Sequence, residues 1–251
     1  MKKDNKNIDL YEPINQLSLF GYKNFFNSFV HLYEKKKLSN VILLDGPKGL
    51  GKATFAYHFI NYLLSKDEID KYSVDDLKIN HNNMSYKQVC NGTHPNFFLL
   101  KNNPFDENIK IDQVRSLLKF LSKSTYYKNI KIVLIDNAEY LNRNSSNALL
   151  KTFEEPGDDT YFLIINSNES KILSTIKSRC IKFKFFLNFN EKKIIFKNII
   201  EQYNLDFNFK AFNDDFYYDT PGNLLKYLIL FNNNNIDINN DKISCILYLI
   251  E

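Results

Sequence analysis

Short, wholly apolar runs alternate along this chain with stretches in which apolar residues recur every three or four positions. Val41–Leu44, Asn96–Leu100, Lys131–Ile135, Tyr161–Ile165 and Ile181–Phe185 read as strands. Runs without polar alternation suit strands buried on both faces, as in a parallel sheet covered by helices. Phe55, Phe59, Tyr62 and Leu63 repeat at helical spacing, as do Val114, Leu117, Leu118 and Leu121, with Asp112 placed to cap that second helix. A further helix over roughly 144–154 is stopped by Pro156-Gly157, and a short one is expected near 170–177. The pattern predicts an α/β fold, a parallel sheet covered by helices. From about residue 188 strand signals cease, Phe196, Ile199, Ile200 and Tyr203 mark a helix, and another follows Pro221-Gly222. Asn232–Asn235 reads as a low-complexity linker, and the residues up to Glu251 as the start of a further helical element. The expected division is residues 1–187 for the sheet domain, 188–231 for a small all-helical domain, and 232–251 for a linker and the stub of a third domain.

The first strand runs into Gly46-Pro-Lys-Gly-Leu-Gly-Lys52, which places Gly46, Gly49, Gly51 and Lys52 at the spacing G-x-x-x-x-G-K ahead of a helix. Strand, Gly-rich loop and helix together are the context that makes a phosphate-binding loop credible. Glycines let backbone N–H groups turn toward phosphate oxygens, the helix N-terminus adds positive potential, and Lys52 supplies an ammonium. The next residue should carry a hydroxyl for Mg²⁺, yet position 53 is alanine, and Thr54 is rotated about 100° further round the helix. Asp136, at the end of the Lys131–Ile135 run, is placed to hold Mg²⁺ through water, and Asn166, at the end of the fourth strand, to sense a γ-phosphate, as is Ser167. Ordinary loop capping accounts for Asn166 and Ser167 equally well. Glu139 lies beyond the strand end and is expected to point elsewhere.

A chain of 251 residues with 44% hydrophobic content can bury a substantial core. Its net charge of +4 permits contact with nucleic acid without requiring it, and the many Lys, Asn, Ile, Phe and Tyr residues match an A/T-rich genome. No apolar run is long enough to span a bilayer and Met1-Lys-Lys-Asp-Asn-Lys6 is polar, so the expectation is a cytoplasmic protein with no membrane partner. Cys90, Cys180 and Cys245 are too few and too scattered for a zinc cluster, and no metal is expected. His94, before Pro95, reads as a loop residue.

Several segments then occur in a telling order. They are Leu19-Phe-Gly21, the loop with Gly51-Lys-Ala-Thr54, His94-Pro95, Ile111-Asp-Gln-Val-Arg115, Ile135-Asp-Asn-Ala-Glu-Tyr-Leu-Asn142, Asn147-Ala-Leu-Leu-Lys-Thr-Phe-Glu-Glu-Pro156 and Ser178-Arg-Cys180. Together they resemble the bacterial clamp-loader ATPases of the AAA+ class, and within them the delta-prime subunits of DNA polymerase III, over roughly residues 17 to 225. The resemblance implies an AAA+ P-loop sheet domain, a helical lid, and a collar domain of which only a stub is expected here. Gamma/tau subunits carry a complete G-K-[ST], an acid pair after the third strand and a zinc-binding cysteine cluster. This chain has Ala53, Asp136-Asn137 and the single Cys90 in those places, and Asn223 where the lid often brings an arginine.

What the resemblance implies is a non-hydrolysing subunit. Hydrolysing relatives place a glutamate where Asn137 stands, and an amide cannot take a proton from water. Weak ATP or ADP binding at most is expected, with no catalytic centre of the chain's own, although it would belong to a DNA-directed DNA polymerase holoenzyme. The implied role of Arg179 is that of an arginine finger, entering a neighbouring subunit's ATP site, where a planar, permanent cation suits phosphoryl charge. Implied partners are the gamma/tau and delta subunits, with the sliding clamp and primer–template DNA reached through the complex. Glu154 and Glu155 read as a helix end rather than a catalytic pair, Lys151–Glu155 being an exposed i,i+4 pair, and the helix opening at Asn144-Ser-Ser146 either faces a DNA phosphate or carries a plain cap. The alternative is a self-sufficient AAA+ ATPase, gamma-like or a DNA-remodelling motor, in which Thr54 or water replaces the missing ligand. A P-loop kinase is disfavoured by the lack of an acceptor-site motif.

Overall fold

The structure, a computed structural model, describes residues 12–102, 106, 108–123, 130–167, 172–203 and 218–233. The expected final element, the end of the linker and Cys245 lie outside the described residues. The chain divides into two units, one of Met1–Gly46 with Lys52–Phe185, the other of Pro47–Gly51 with Phe186–Glu251, each considered in its described parts.

The first unit is built on a parallel sheet of β1 (Val41–Asp45), β2 (Phe97–Leu100), β3 (Lys131–Ile135), β4 (Thr160–Asn166) and β5 (Ile181–Lys184), in the order β2-β3-β4-β1-β5. Its helices are α1 (Lys23–Glu34), α2 (Lys52–Leu64), α3 (Met84–Cys90), α4 (Ile111–Ser122), α5 (Arg143–Glu154) and the short α6 (Ser174–Lys177). Central β1 and β4 are buried almost throughout, which is why their sequences do not alternate. Val41, Leu43, Val133, Ile135, Phe162 and Ile164 share one core with Val114 and Leu117 of α4 and Leu149 and Phe153 of α5. An aromatic cluster forms elsewhere in the unit. Phe26 and Phe29 of α1 and Phe55 and Phe59 of α2 have no exposed surface, and the Phe29 ring sits 4.5 Å from that of Phe183 in β5. Full burial of each such ring contributes roughly 1.5–3 kcal/mol, and edge-on pairing adds about 0.5–1.5.

Four expectations change. Residues 23–34 and 84–90 form helices to which the apolar pattern assigned none. Asp112 is not a cap but the second residue of α4, where it pairs with Arg115; the N-cap is Lys110, whose N–H donates to Gln113 Oε1 at 2.9 Å. Helix α5 opens one residue earlier than expected, capped by Asn142, whose Oδ1 accepts from the Ser145 N–H. Lys151 and Glu155 form no ion pair among the described residues, because the carboxylate that α5 puts to use is that of Glu154.

The segment joining α2 to β2 is tied down by polar groups. Glu68 accepts from the N–H groups of Met84 and Ser85, from Asn83 Nδ2 and from Ser85 Oγ, which places a carboxylate at the start of α3. Asn83 Oδ1 in turn accepts from Asn61 of α2 and from the Tyr86 N–H.

In the second unit α7 (Phe189–Gln202) and α8 (Pro221–Asn233) pack together, burying Phe196, Ile200, Leu224 and Leu228. Asn188 and Glu191 cap α7 reciprocally, and Pro221 takes the first position of α8, where its missing N–H costs nothing.

Candidate functional site

The loop after β1 owes its path to glycine. A Cβ at Gly46 would lie 2.7 Å from the Phe185 carbonyl oxygen, and Gly49 has a φ of +83° with Thr220 Oγ1 2.1 Å from where its Cβ would be. Any side chain is excluded from Gly49 on both grounds. Gly51 ends the loop, and Lys52 opens α2 with its Nζ, nearly buried, donating to the Gly46 carbonyl at 2.6 Å. Within the second unit the start of α8 takes up carbonyls of the loop. Thr220 Oγ1 donates to the Lys48 carbonyl at 2.8 Å and the Gly222 N–H to that of Gly49 at 2.9 Å. Asn223 Nδ2 donates to Asp219 Oδ1 at 2.9 Å. Lys226 has its pKa lowered by burial and by the Lys48 charge.

Asp136 follows β3 and its N–H is held by the Leu100 carbonyl at 2.9 Å. Burial raises its pKa; Lys101 and Lys52 oppose that and Glu139 adds to it. Glu139 lies on the 3₁₀ turn Ala138–Tyr140, and its Oε2 is buried. Asn137 opens that turn at φ 58°, a left-handed conformation that asparagine tolerates better than glutamate. Mg²⁺ takes oxygen ligands in near-octahedral array. Here position 53 offers a methyl group, and Thr54 is the third residue of α2, one position beyond where the hydroxyl is needed. This donor set does not fit a metal that activates water.

Asn166 ends β4 next to Asp45, and its Nδ2 donates to Asp45 Oδ1 at 2.6 Å, while Lys182 Nζ of β5 meets Asp45 Oδ2 at 2.5 Å. Burial works against the Asp45 charge, but the bonds from Lys182 and Asn166 and the charges of Lys182 and Lys177 outweigh it and hold its pKa below the usual carboxylate value. The sequence reading missed this cluster. An acid ending a wholly apolar strand was its only local signal, since Asn166 lies 121 residues away.

Arg179 lies on the turn between α6 and β5. The turn is fastened by the Arg179 N–H to Ile176 carbonyl bond at 3.1 Å and by Cys180 Sγ donating to the same carbonyl at 3.1 Å. Burial pushes the Cys180 thiol up to about 12, so it serves as packing rather than as a nucleophile. The guanidinium remains 30% exposed, with Nε donating to Glu154 Oε1 at 2.8 Å, NH2 donating to the same oxygen, and NH1 donating to the Thr175 carbonyl at 2.8 Å and Ser178 Oγ at 3.3 Å. Glu154 as the partner of Arg179 was not foreseen. Among the described residues no group of three or more His, Cys, Asp or Glu side chains converges as a metal site, and no helix is long and apolar enough to cross a membrane.

A five-stranded parallel sheet with a P-loop after β1, an acid after β3 and a polar residue ending β4 defines an α/β module of the AAA+ class. The Holliday junction branch migration motor RuvB of Thermotoga maritima superposes with a TM-score of 0.51 at 17% identity, over 86% of this chain and 64% of that one. The family model described as DNA polymerase III, delta subunit, matches residues 21–188, and the chain belongs to that family. DNA polymerase III subunit delta' of Pseudomonas aeruginosa is 36% identical over 144 residues, 57% of this chain and 42% of that protein. The Bacillus subtilis subunit delta' is 30% identical over 175 residues, 70% of this chain and 49% of its own length. A gamma subunit from Buchnera aphidicola is 26% identical over 238 residues, 92% of this chain and 62% of that protein. The chain spans about half the length of the delta' relatives it matches.

Proposed function

We propose that the chain is a non-hydrolysing structural subunit of the DNA polymerase III clamp loader. In this reading it supplies Arg179 to the ATP site of a neighbouring subunit and helps place the sliding clamp on primed DNA in the cytoplasm. The neighbours are gamma/tau and delta, and residues 188–231 act as the lid. One observation carries the proposal: where hydrolysis needs a metal ligand and a base, the site has the methyl of Ala53 and the amide of Asn137, while the Ser178-Arg179-Cys180 turn holds an intact guanidinium at the surface. Gly46, Gly49, Gly51, Lys52, Thr54, Asp136 and Asn166 are then a nucleotide site kept as scaffold. Loss of metal charge stabilisation alone removes several kcal/mol from a phosphoryl-transfer transition state.

The second reading, an ATPase in its own right, is favoured by the intact Gly49-Leu-Gly-Lys52 and by likeness to a gamma subunit over 92% of the chain. Steady-state turnover of Mg²⁺-ATP by the isolated chain separates the two. The structural-subunit reading expects no hydrolysis above background, whereas turnover near 1 s⁻¹, the low end for ordinary enzymes, supports the second.

A further inference from the structure

The charge partner of Arg179 contributes little to folding. With side chains 30% and 49% exposed, the Arg179–Glu154 pair belongs with surface ion pairs, whose median contribution is small. It nevertheless takes two of the four N–H groups by which the guanidinium is held. Arginine has five N–H donors in a planar fork. Nε and one NH2 hydrogen go to a single Glu154 oxygen, and the NH1 hydrogens go to the Thr175 carbonyl and Ser178 Oγ. That leaves one NH2 hydrogen without a partner among the described residues. Glu154 is the last residue of α5, a helix anchored in the core through Leu149 and Phe153, so the backbone that carries the carboxylate is fixed against the Arg179 turn.

We infer that Glu154 is the positioning residue of Arg179: it fixes the plane and rotamer of the guanidinium so that its free N–H edge is already directed at the phosphoryl group of a nucleotide held by a neighbouring subunit. The inference rests on the arginine-finger reading above. A pre-set guanidinium enters the partner's site without losing side-chain freedom at that moment, so the effect falls on the chemical step and not on nucleotide binding. Arg179 makes the contact; Glu154 touches neither nucleotide nor metal and acts through Arg179.

The test uses the whole chain reconstituted with its partner subunits and primed DNA. Glu154→Ala should lower kcat for the DNA-stimulated ATPase about tenfold at the affected site with KM for ATP nearly unchanged, and Glu154→Gln, which keeps the accepting oxygen, should recover most of the loss. In an Arg179→Ala background Glu154→Ala should do nothing further. In the isolated chain the Arg179 Nε–H nitrogen resonance should exchange slowly, and should be averaged with the other arginines in Glu154→Ala. If Arg179→Ala lowers the rate and Glu154→Ala does not, or if the two losses add, the positioning role is wrong and the finger stands. If Arg179→Ala has no effect, the finger reading itself fails.

Discussion

His58 shows how one buried residue sets a property of the whole chain. It has no exposed surface, and its Nε2 lies 3.1 Å from the Gln16 carbonyl, its Nδ1 2.9 Å from the Tyr72 hydroxyl. A carbonyl only accepts, so Nε2 carries the proton and Nδ1 accepts from tyrosine. That neutral tautomer is fully satisfied, and burial pushes the pKa down to about 3 while the Gln16 bond opposes the fall. The folded pKa lies below the unfolded one, so the unfolded chain takes up a proton as pH drops below about 6.5 and the folded chain does not. Stability from this residue is complete above that pH and is lost progressively toward pH 3. Denaturant titrations at pH 7 and pH 5 should differ by about 2 kcal/mol through this group, and His58→Gln should flatten the difference. A variant as pH-dependent as the parent between those values would show that the ring is solvated.

At the scale of elements, legibility followed locality. β1 and α2 could be read because strand, loop and helix signals are contiguous from Val41 to Leu64, and the Ser178-Arg179-Cys180 turn because three adjacent residues carry it. What went unread is held by distant partners: Glu154 is 25 residues from Arg179, and Glu68 is 17 from Ser85. Helix α1 is a different case, since Phe26 and Phe29 sit at helical spacing and were simply left unassigned. Helix α3 has only seven residues and needs Glu68 at its N-terminus to persist. Hydrogen bonds to a charged group contribute roughly 1.5–3 kcal/mol each where they are shielded, less at this half-exposed site. Glu68→Ala should therefore speed hydrogen exchange at the amides of residues 84 to 86 while leaving β1 and β4 protected. Uniform acceleration across the sheet would mean that the segment folds as one body with it.

On the scale of the whole molecule, a family of replication proteins is joined to a site whose donors do not suit metal-assisted hydrolysis. The retained lysine has an internal role, since Lys52 satisfies the Gly46 carbonyl and lowers the Asp136 pKa against its burial. Arg179, 30% exposed, joins α5 to the Thr175–Ser178 turn through a surface ion pair of small weight in folding. In the proposed reading chemistry therefore runs outward, from Arg179 to a neighbour, and not inward to the P-loop. The most direct measurement is the DNA-stimulated ATPase of the reconstituted loader carrying either Lys52→Ala or Arg179→Ala, with folding and assembly of each variant verified. Arg179→Ala should lower the rate, approaching ~10³ at the affected site and less in a complex with several ATP sites. Arg179→Lys should rescue poorly, because an ammonium on a flexible stem cannot be held in a plane by Glu154 while still presenting an N–H. Lys52→Ala should change the rate little; a loader silenced by Lys52→Ala and untouched by Arg179→Ala would contradict the account.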